Sequence, residues 1–277
     1  MSFTESIRYP AVAGMFYPGD ENTLRKDING YIKQVPQLEN VKKIYGLVAP
    51  HAGYMYSGAV AAQAYRQLEG HSFDTVVVVS PSHRAYFKEN SIYPGAYYQT
   101  PLGNIEVDSE AAQALAESGL HNILSQMGHD GAEHALEVQL PFLQVVLKEF
   151  KLIPVVMGDQ GYENVTGLAE ALTDTLKDKK ALMVASSDLS HYHDSKLASQ
   201  LDNVVVDEIN KFNIEGLYRS LTSGICEMCG GGPVMSVMMA GKLLGADKAK
   251  VLTYKTSGDI TGDHHQVVGY LSALFYQ

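Results

Sequence analysis

Apolar and β-branched residues gather in short unbroken runs at 44–49, 75–80, 152–157, 181–186, 251–256 and 267–274. Unbroken runs predict strands covered on both faces, because a strand with one wet face would alternate polar and apolar positions. Between the runs the apolar period lengthens to that of a helix. Ser57 is a suitable N-cap for a helix over 58–68 and Ser109 for one over 110–117, while 164–176, 195–211 and 233–244 predict three more. This alternation of strand and helix predicts an α/β fold: a mostly parallel central sheet with helices on both faces. The stretch 97–107, centred on Pro101-Leu102-Gly103-Asn104, predicts an antiparallel hairpin appended to that sheet. Neither an internal repeat nor a low-complexity linker divides the chain, which is expected to form a single domain over 1–277.

Composition narrows the function. With 277 residues, 45% of them hydrophobic and 19% charged, the chain can bury a sizeable core. Its 21 Lys and Arg against 31 Asp and Glu leave a formal net charge of −10, which opposes phosphate attraction and argues against a nucleic-acid partner. The N-terminal stretch carries Glu5, Arg8, Pro10 and Pro18. No signal-like or membrane-length apolar segment is present, so a soluble, unprocessed, cytoplasmic protein is expected. Two cysteines are too few for a disulfide framework, and the thiols are expected to be buried, metal-ligating or redox-active.

Chemistry gathers after the strands. His51 follows the run at 44–49, His83 the run at 75–80 and His191 the run at 181–186. In a parallel sheet the carboxyl ends of the strands share one edge, where open α/β folds bind their ligands. Three histidines from three strand ends would converge there, His51 and His83 from neighbouring strands, as two imidazoles of a metal site or as an acid/base group. A histidine after a strand also commonly serves only as a hydrogen-bonded loop residue. Cys229 closes the sequence Cys226-Glu227-Met228-Cys229 ahead of Gly230-Gly231-Gly232-Pro233 and a predicted helix, whose dipole would favour a thiolate and make Cys229 a candidate third ligand. Both cysteines also read as small buried apolar residues. In Glu133-His134-Ala135-Leu136-Glu137, His134 and Glu137 would share a helix face, and Glu133 or Glu137 is a candidate for orienting an imidazole. Asp188 lies close enough in sequence to His191 to fix its tautomer and make it a general base; His193 and Tyr54 are further candidates for the pocket wall. Ser187 is a weaker nucleophile candidate, since no Gly-x-Ser-x-Gly elbow surrounds it.

Several separated segments resemble one known family. They are Tyr9-Pro10-Ala11-Val12-Ala13-Gly14-Met15-Phe16-Tyr17-Pro18, Ala49-Pro50-His51-Ala52-Gly53-Tyr54, Ser80-Pro81-Ser82-His83, Glu133-His134-x-x-Glu137-Val138-Gln139-Leu140-Pro141, Ser186-Ser187-Asp188-Leu189-Ser190-His191 and Val268-Gly269-Tyr270. Together and in order they resemble the Memo family, similar in fold to class III extradiol dioxygenases of the protocatechuate type, which hold non-haem Fe(II) with two His and one Glu. The resemblance implies His51 and His83 as metal-ligating imidazoles, Cys229 in place of the carboxylate and His191 as acid/base residue. A thiolate is softer than a carboxylate and suits copper or zinc as well as iron, so the resemblance does not by itself imply ring cleavage. It also implies, for prokaryotic members, a radical-SAM protein and a small companion protein as partners.

Three functions compete. A metal-dependent oxidoreductase or redox protein, with iron or copper favoured and an unspecified substrate, is the leading expectation. A zinc-type metal-assisted hydrolase would use the same three ligands and an open position on the metal. A non-enzymatic module for a peptide or small ligand would instead exploit aromatic surface such as Tyr54, Tyr56 and Tyr192.

Overall fold

The computed structural model describes residues 4–277. Its strands are β1 Ile7–Arg8, β2 Ile44–Ala49, β3 Thr75–Pro81, β4 Asn90–Ile92, β5 Tyr97–Thr100, β6 Gly103–Glu106, β7 Asn122–Leu124, β8 Lys151–Met157, β9 Ala181–Ser186, β10 His191–His193, β11 Lys248–Thr256 and β12 Val267–Tyr276. Its α-helices are α1 Glu21–Ile32, α2 Tyr54–Tyr65, α3 Ser109–Glu117, α4 Leu140–Val146, α5 Tyr162–Leu176, α6 Ser195–Asn210, α7 Ile214–Thr222, α8 Gly231–Leu243 and α9 Gly258–Thr261.

The central sheet runs in the order β10-β12-β2-β9-β3-β8-β4-β7, with β11 paired to β12. Strands β2, β9, β3 and β8 are mutually parallel and form its middle. Every residue of β2 and β3 is buried, which is why their sequences show no alternation. Helix α8 packs across β9, β2 and β3 with α5 behind it, while α2 covers β12, β11 and β2. The flanking strands are antiparallel to this middle: β12 to β2, and β4 to β8. Among the described residues no helix is long and apolar enough to cross a membrane.

Four sequence expectations change. The predicted hairpin exists as β5 and β6, but it joins β1 in a three-stranded sheet of its own rather than the central sheet. Helix α2 starts four residues earlier than predicted: Gly53 is its N-cap, and Ser57, inside the helix, donates its hydroxyl to Ala52 O at 2.9 Å. For α3 the cap is Asp108, whose carboxylate accepts from Ala111 N at 3.1 Å. Finally, β2 and β3 are not neighbours. Strand β9 lies between them, so the ends that carry His51 and His83 are bridged by the Ser186-Ser187-Asp188 end of β9.

Candidate metal centre

His51, His83 and Cys229 come together at the carboxyl edge of the parallel strands. One ligand atom from each lies within 4.8 Å of the other two. His51 Nε2 is 3.3 Å from Cys229 Sγ. Nitrogen and sulfur atoms bound about 2.0–2.3 Å from a shared ion are themselves about 3.3–3.8 Å apart in tetrahedral geometry, so this donor set fits a transition metal.

The outer nitrogen of each imidazole is held. His51 Nδ1 lies 2.9 Å from Ser186 Oγ. The single Ser186 hydroxyl proton is given to Ala135 O at 2.6 Å, and the Gln139 amide donates to Ser186 Oγ at 2.7 Å. Ser186 Oγ therefore accepts from His51 Nδ1–H, which leaves the lone pair of Nε2 facing Cys229. His83 Nδ1 lies 3.1 Å from Glu133 Oε1. Burial raises the Glu133 carboxyl, but hydrogen bonds from the His83 ring and backbone and from Ala135 N–H outweigh it and bring the pKa down to about 2. A carboxylate only accepts, so His83 too presents a bare Nε2. A metal-binding histidine usually shows this arrangement, its second nitrogen anchored by an acceptor.

Cys229 reaches the centre because its loop is sewn to the end of β9. Its backbone N–H donates to Asp188 O at 3.2 Å, and Asp188 N–H donates to Sγ at 3.2 Å. Ser187 Oγ donates to Asp188 O and accepts from Gly230 N–H at 2.9 Å, so this hydroxyl is a structural tie and not a free nucleophile. Gly230 is required here: a Cβ on it would stand 2.3 Å from Ser186 O. The expected thiolate-favouring influence of α8 does not prevail. Burial first, and the Asp188 carboxylate second, push the metal-free thiol up to about 12.

The neighbouring candidates sort differently from their sequence assignment. Asp188 does not orient His191; its Oδ1 accepts from His51 N–H at 2.8 Å, fixing the strand end that carries His51, and burial pushes its carboxyl up to about 7. Burial lowers the pKa of His191. It sits beside Tyr192, whose backbone takes φ of 63° at a break in register between β10 and β12. A bulky residue rarely adopts that conformation. His134 lies at the centre rather than behind it: its ring stacks on His83 at 5.3 Å and 15°, meets His51 edge-on at 5.6 Å, and packs against Phe16 at 4.6 Å.

Glu137 and His134 do not share a helix face, because only Glu137–Gln139 coils, as a short 3-10 turn. Glu137 points away, into a buried cluster where it pairs with Arg8 and accepts from Tyr17 OH, Ala11 N and Val12 N. Tyr54 likewise leaves the pocket wall: it is buried and its hydroxyl donates to Val138 O at 2.8 Å. His193 pairs with Glu227 at 2.9 Å, outside the donor set. Ser186, Gln139 and Phe16 were missed as supports of the centre. The only signal for them was their place inside the quoted motifs, since a serine, a glutamine and a phenylalanine carry no ligand chemistry of their own.

Comparison with known proteins agrees with this architecture. The family model for Memo-like proteins matches residues 8–274. A MEMO1 family protein of Nitrosopumilus maritimus is 38% identical over 274 residues, covering 97% of this chain and 99% of the relative. One from Methanosarcina mazei is 39% identical over 273 residues, covering 97% and 98%. Among solved structures, an uncharacterized protein from Escherichia coli K12 matches 84% of this chain and all of its own at a TM-score of 0.53 and 13% identity, a likeness of fold alone.

Proposed function

This chain belongs to the Memo-like family, and from that premise we propose that it is a metal-dependent redox protein, an oxidoreductase whose centre is one iron or copper ion held by His51, His83 and Cys229. One observation carries the reading: three donor atoms converge within 4.8 Å while the other nitrogen of each imidazole is committed to an acceptor.

Held by His51, His83 and Cys229, a metal would supply a Lewis acid and, as iron or copper, a one-electron couple. The chain does the rest. Glu133 and Ser186 fix the tautomers of His83 and His51. Asp188 clamps the backbone of His51, and the Ser187 and Gly230 ties hold the sulfur in place. His83, whose side chain is 29% exposed, marks where a substrate would reach the three donors. His134, stacked on His83, and His191, the acid/base residue of the resemblance, are neutral imidazoles, their pKa values lowered by burial, assigned to accept a proton from a bound substrate and return it. Phe16, against His134, narrows the approach of water.

Freshly purified, untagged protein should carry about one iron or copper per chain by elemental analysis, and His51→Ala or Cys229→Ala should lose it. Protein that holds no metal and takes up none stoichiometrically from Fe(II), Cu(I) or Zn(II) solutions overturns the reading. The same three donors suit a zinc hydrolase; turnover that proceeds equally with and without oxygen favours that second reading.

A further inference from the structure

A pocket of about 260 Å³ is lined by Ser6, Arg8, Tyr93, Gln126, His129 and Asp130 among others. Its wall is aromatic. Arg8 pairs in register with Tyr98 across β1 and β5 and lays its guanidinium 5.4 Å from the centre of that ring, and Tyr93 meets Tyr98 edge-on at 5.0 Å. His129 contributes shape alone, because both ring nitrogens are spent, Nδ1 accepting from Tyr98 OH at 2.6 Å and Nε2–H donating to Ser91 O at 2.9 Å. Two other polar groups in the wall are underused. A guanidinium has five N–H groups. Arg8 spends Nε on His129 O, Nη1 on Tyr9 O and the Glu137 carboxylate, and one Nη2 proton on Glu133 O. The second Nη2 proton has no partner among the described residues, although Arg8 is only 7% exposed. The Tyr93 hydroxyl, in a residue only 4% exposed, has one partner, Ser6 Oγ at 3.4 Å, which is long for an O–H···O bond; Ser6 Oγ lies closer to Thr4 Oγ1, at 2.6 Å.

We infer that this pocket binds a small carboxylate, with the free Arg8 Nη2–H and the Tyr93 hydroxyl as its donors. A buried donor with nothing to bind is costly, and a carboxylate can accept from two donors at once. The chemistry narrows further. Glu137 already shares the guanidinium, so a bare anion gains little charge attraction from Arg8. Asp130, exposed and lining the same pocket, adds a negative charge that attracts a cation. A ligand with an ammonium group beside its carboxylate satisfies both, which favours a free α-amino acid with a small side chain. The pocket uses none of His51, His83 and Cys229, and the inference does not rest on the metal reading.

The full chain, labelled with nitrogen-15, is titrated with glycine, acetate and methylammonium while its amide chemical shifts are followed. Glycine should give saturable shifts at Arg8, Gln126 and Gly131, acetate the same shifts at about tenfold higher concentration, and methylammonium none. Tyr93→Phe, which keeps the ring and removes the hydroxyl, should weaken glycine about tenfold. Asp130→Asn should bring glycine to the affinity of acetate, with melting curves to show that both variants fold. Acetate as tight as glycine, with Asp130→Asn without effect, supports the carboxylate site and assigns it to simple carboxylates instead of amino acids. The inference is overturned if neither carboxylate shifts these amides up to about 100 mM, enough to fill a site of about 10 mM affinity. It is equally overturned if methylammonium binds as well as glycine, or if Tyr93→Phe binds glycine as tightly as the wild type.

Discussion

Glu133→Gln tests whether the hydrogen bonds around His83 prepare it for a metal. In the native structure Oε1 accepts from His83 Nδ1, His134 N and Ala135 N at 3.1, 2.9 and 3.1 Å, and Oε2 accepts from His83 N. Glutamine keeps the shape but has one acceptor oxygen. If that oxygen faces the three donors, its amide group opposes the His83 backbone N–H; reversed, it opposes three. Leaving one buried donor unpaired costs about 1–3 kcal/mol of fold stability. The second loss concerns the metal: without a carboxylate on Nδ1, His83 is free to rotate and to carry its proton on either nitrogen. Losing such a partner typically lowers metal affinity about 10–100-fold, or roughly 1.4–2.7 kcal/mol. Competition against a chromophoric chelator, beside urea melts of the metal-free protein, separates the two losses. An affinity within about twofold of the wild type, in a variant that still unfolds cooperatively, refutes the reasoning.

Three further outcomes are expected. Removing Glu137 strands the buried Arg8 and the donors on Tyr17, Ala11 and Val12, so Glu137→Ala should lose about 3–5 kcal/mol in denaturant titration; a variant as stable as the wild type would contradict this. His129 is buried between Tyr98 OH and Ser91 O, and burial lowers its pKa to about 3 from an unfolded value near 6.5. The native state therefore refuses a proton that the unfolded chain accepts: the contribution is complete above about pH 6.5 and shrinks as pH falls toward 3, by about 2 kcal/mol at pH 5. His129→Gln should lose about that much less than the wild type between pH 7 and 5, and equal losses in urea titrations would remove His129 as the cause. Gly230→Ala must displace Ser186 O, 2.3 Å from the new carbon, and should both lower the melting temperature and expose Cys229 to alkylation; a thiol as protected as in the wild type would show that the loop has slack.

Local pattern carried much of the architecture. All six apolar runs became strands; in β2, β3, β8, β9 and β12 both faces are covered, which writes burial into consecutive residues, whereas β11, at 251–256, is half-exposed against the expectation of a covered strand. Strand ends then placed His51 and His83 at one edge, a consequence of parallel direction alone. Hydrogen-bond partners were less legible. Asp188 was paired by proximity in sequence with His191, yet it serves His51, 137 residues away, because the sheet sets β9 beside β2. Glu137 and His134 were placed on a common helix face, yet burial of Arg8 draws Glu137 one way and stacking on His83 holds His134 another.

From the amino acids alone came the class of fold, the period of each element and the chemical types that follow the strands, since burial and helical spacing act between residues close along the chain. Tertiary structure alone decided that β9 separates β2 from β3, that β5 and β6 leave the central sheet, that Ser186 and Glu133 choose the tautomers, and that Cys229 comes within 3.3 Å of His51. Those outcomes rest on contacts between segments far apart in sequence, whose pairing depends on the packing of the whole core and leaves no periodic mark in any one segment.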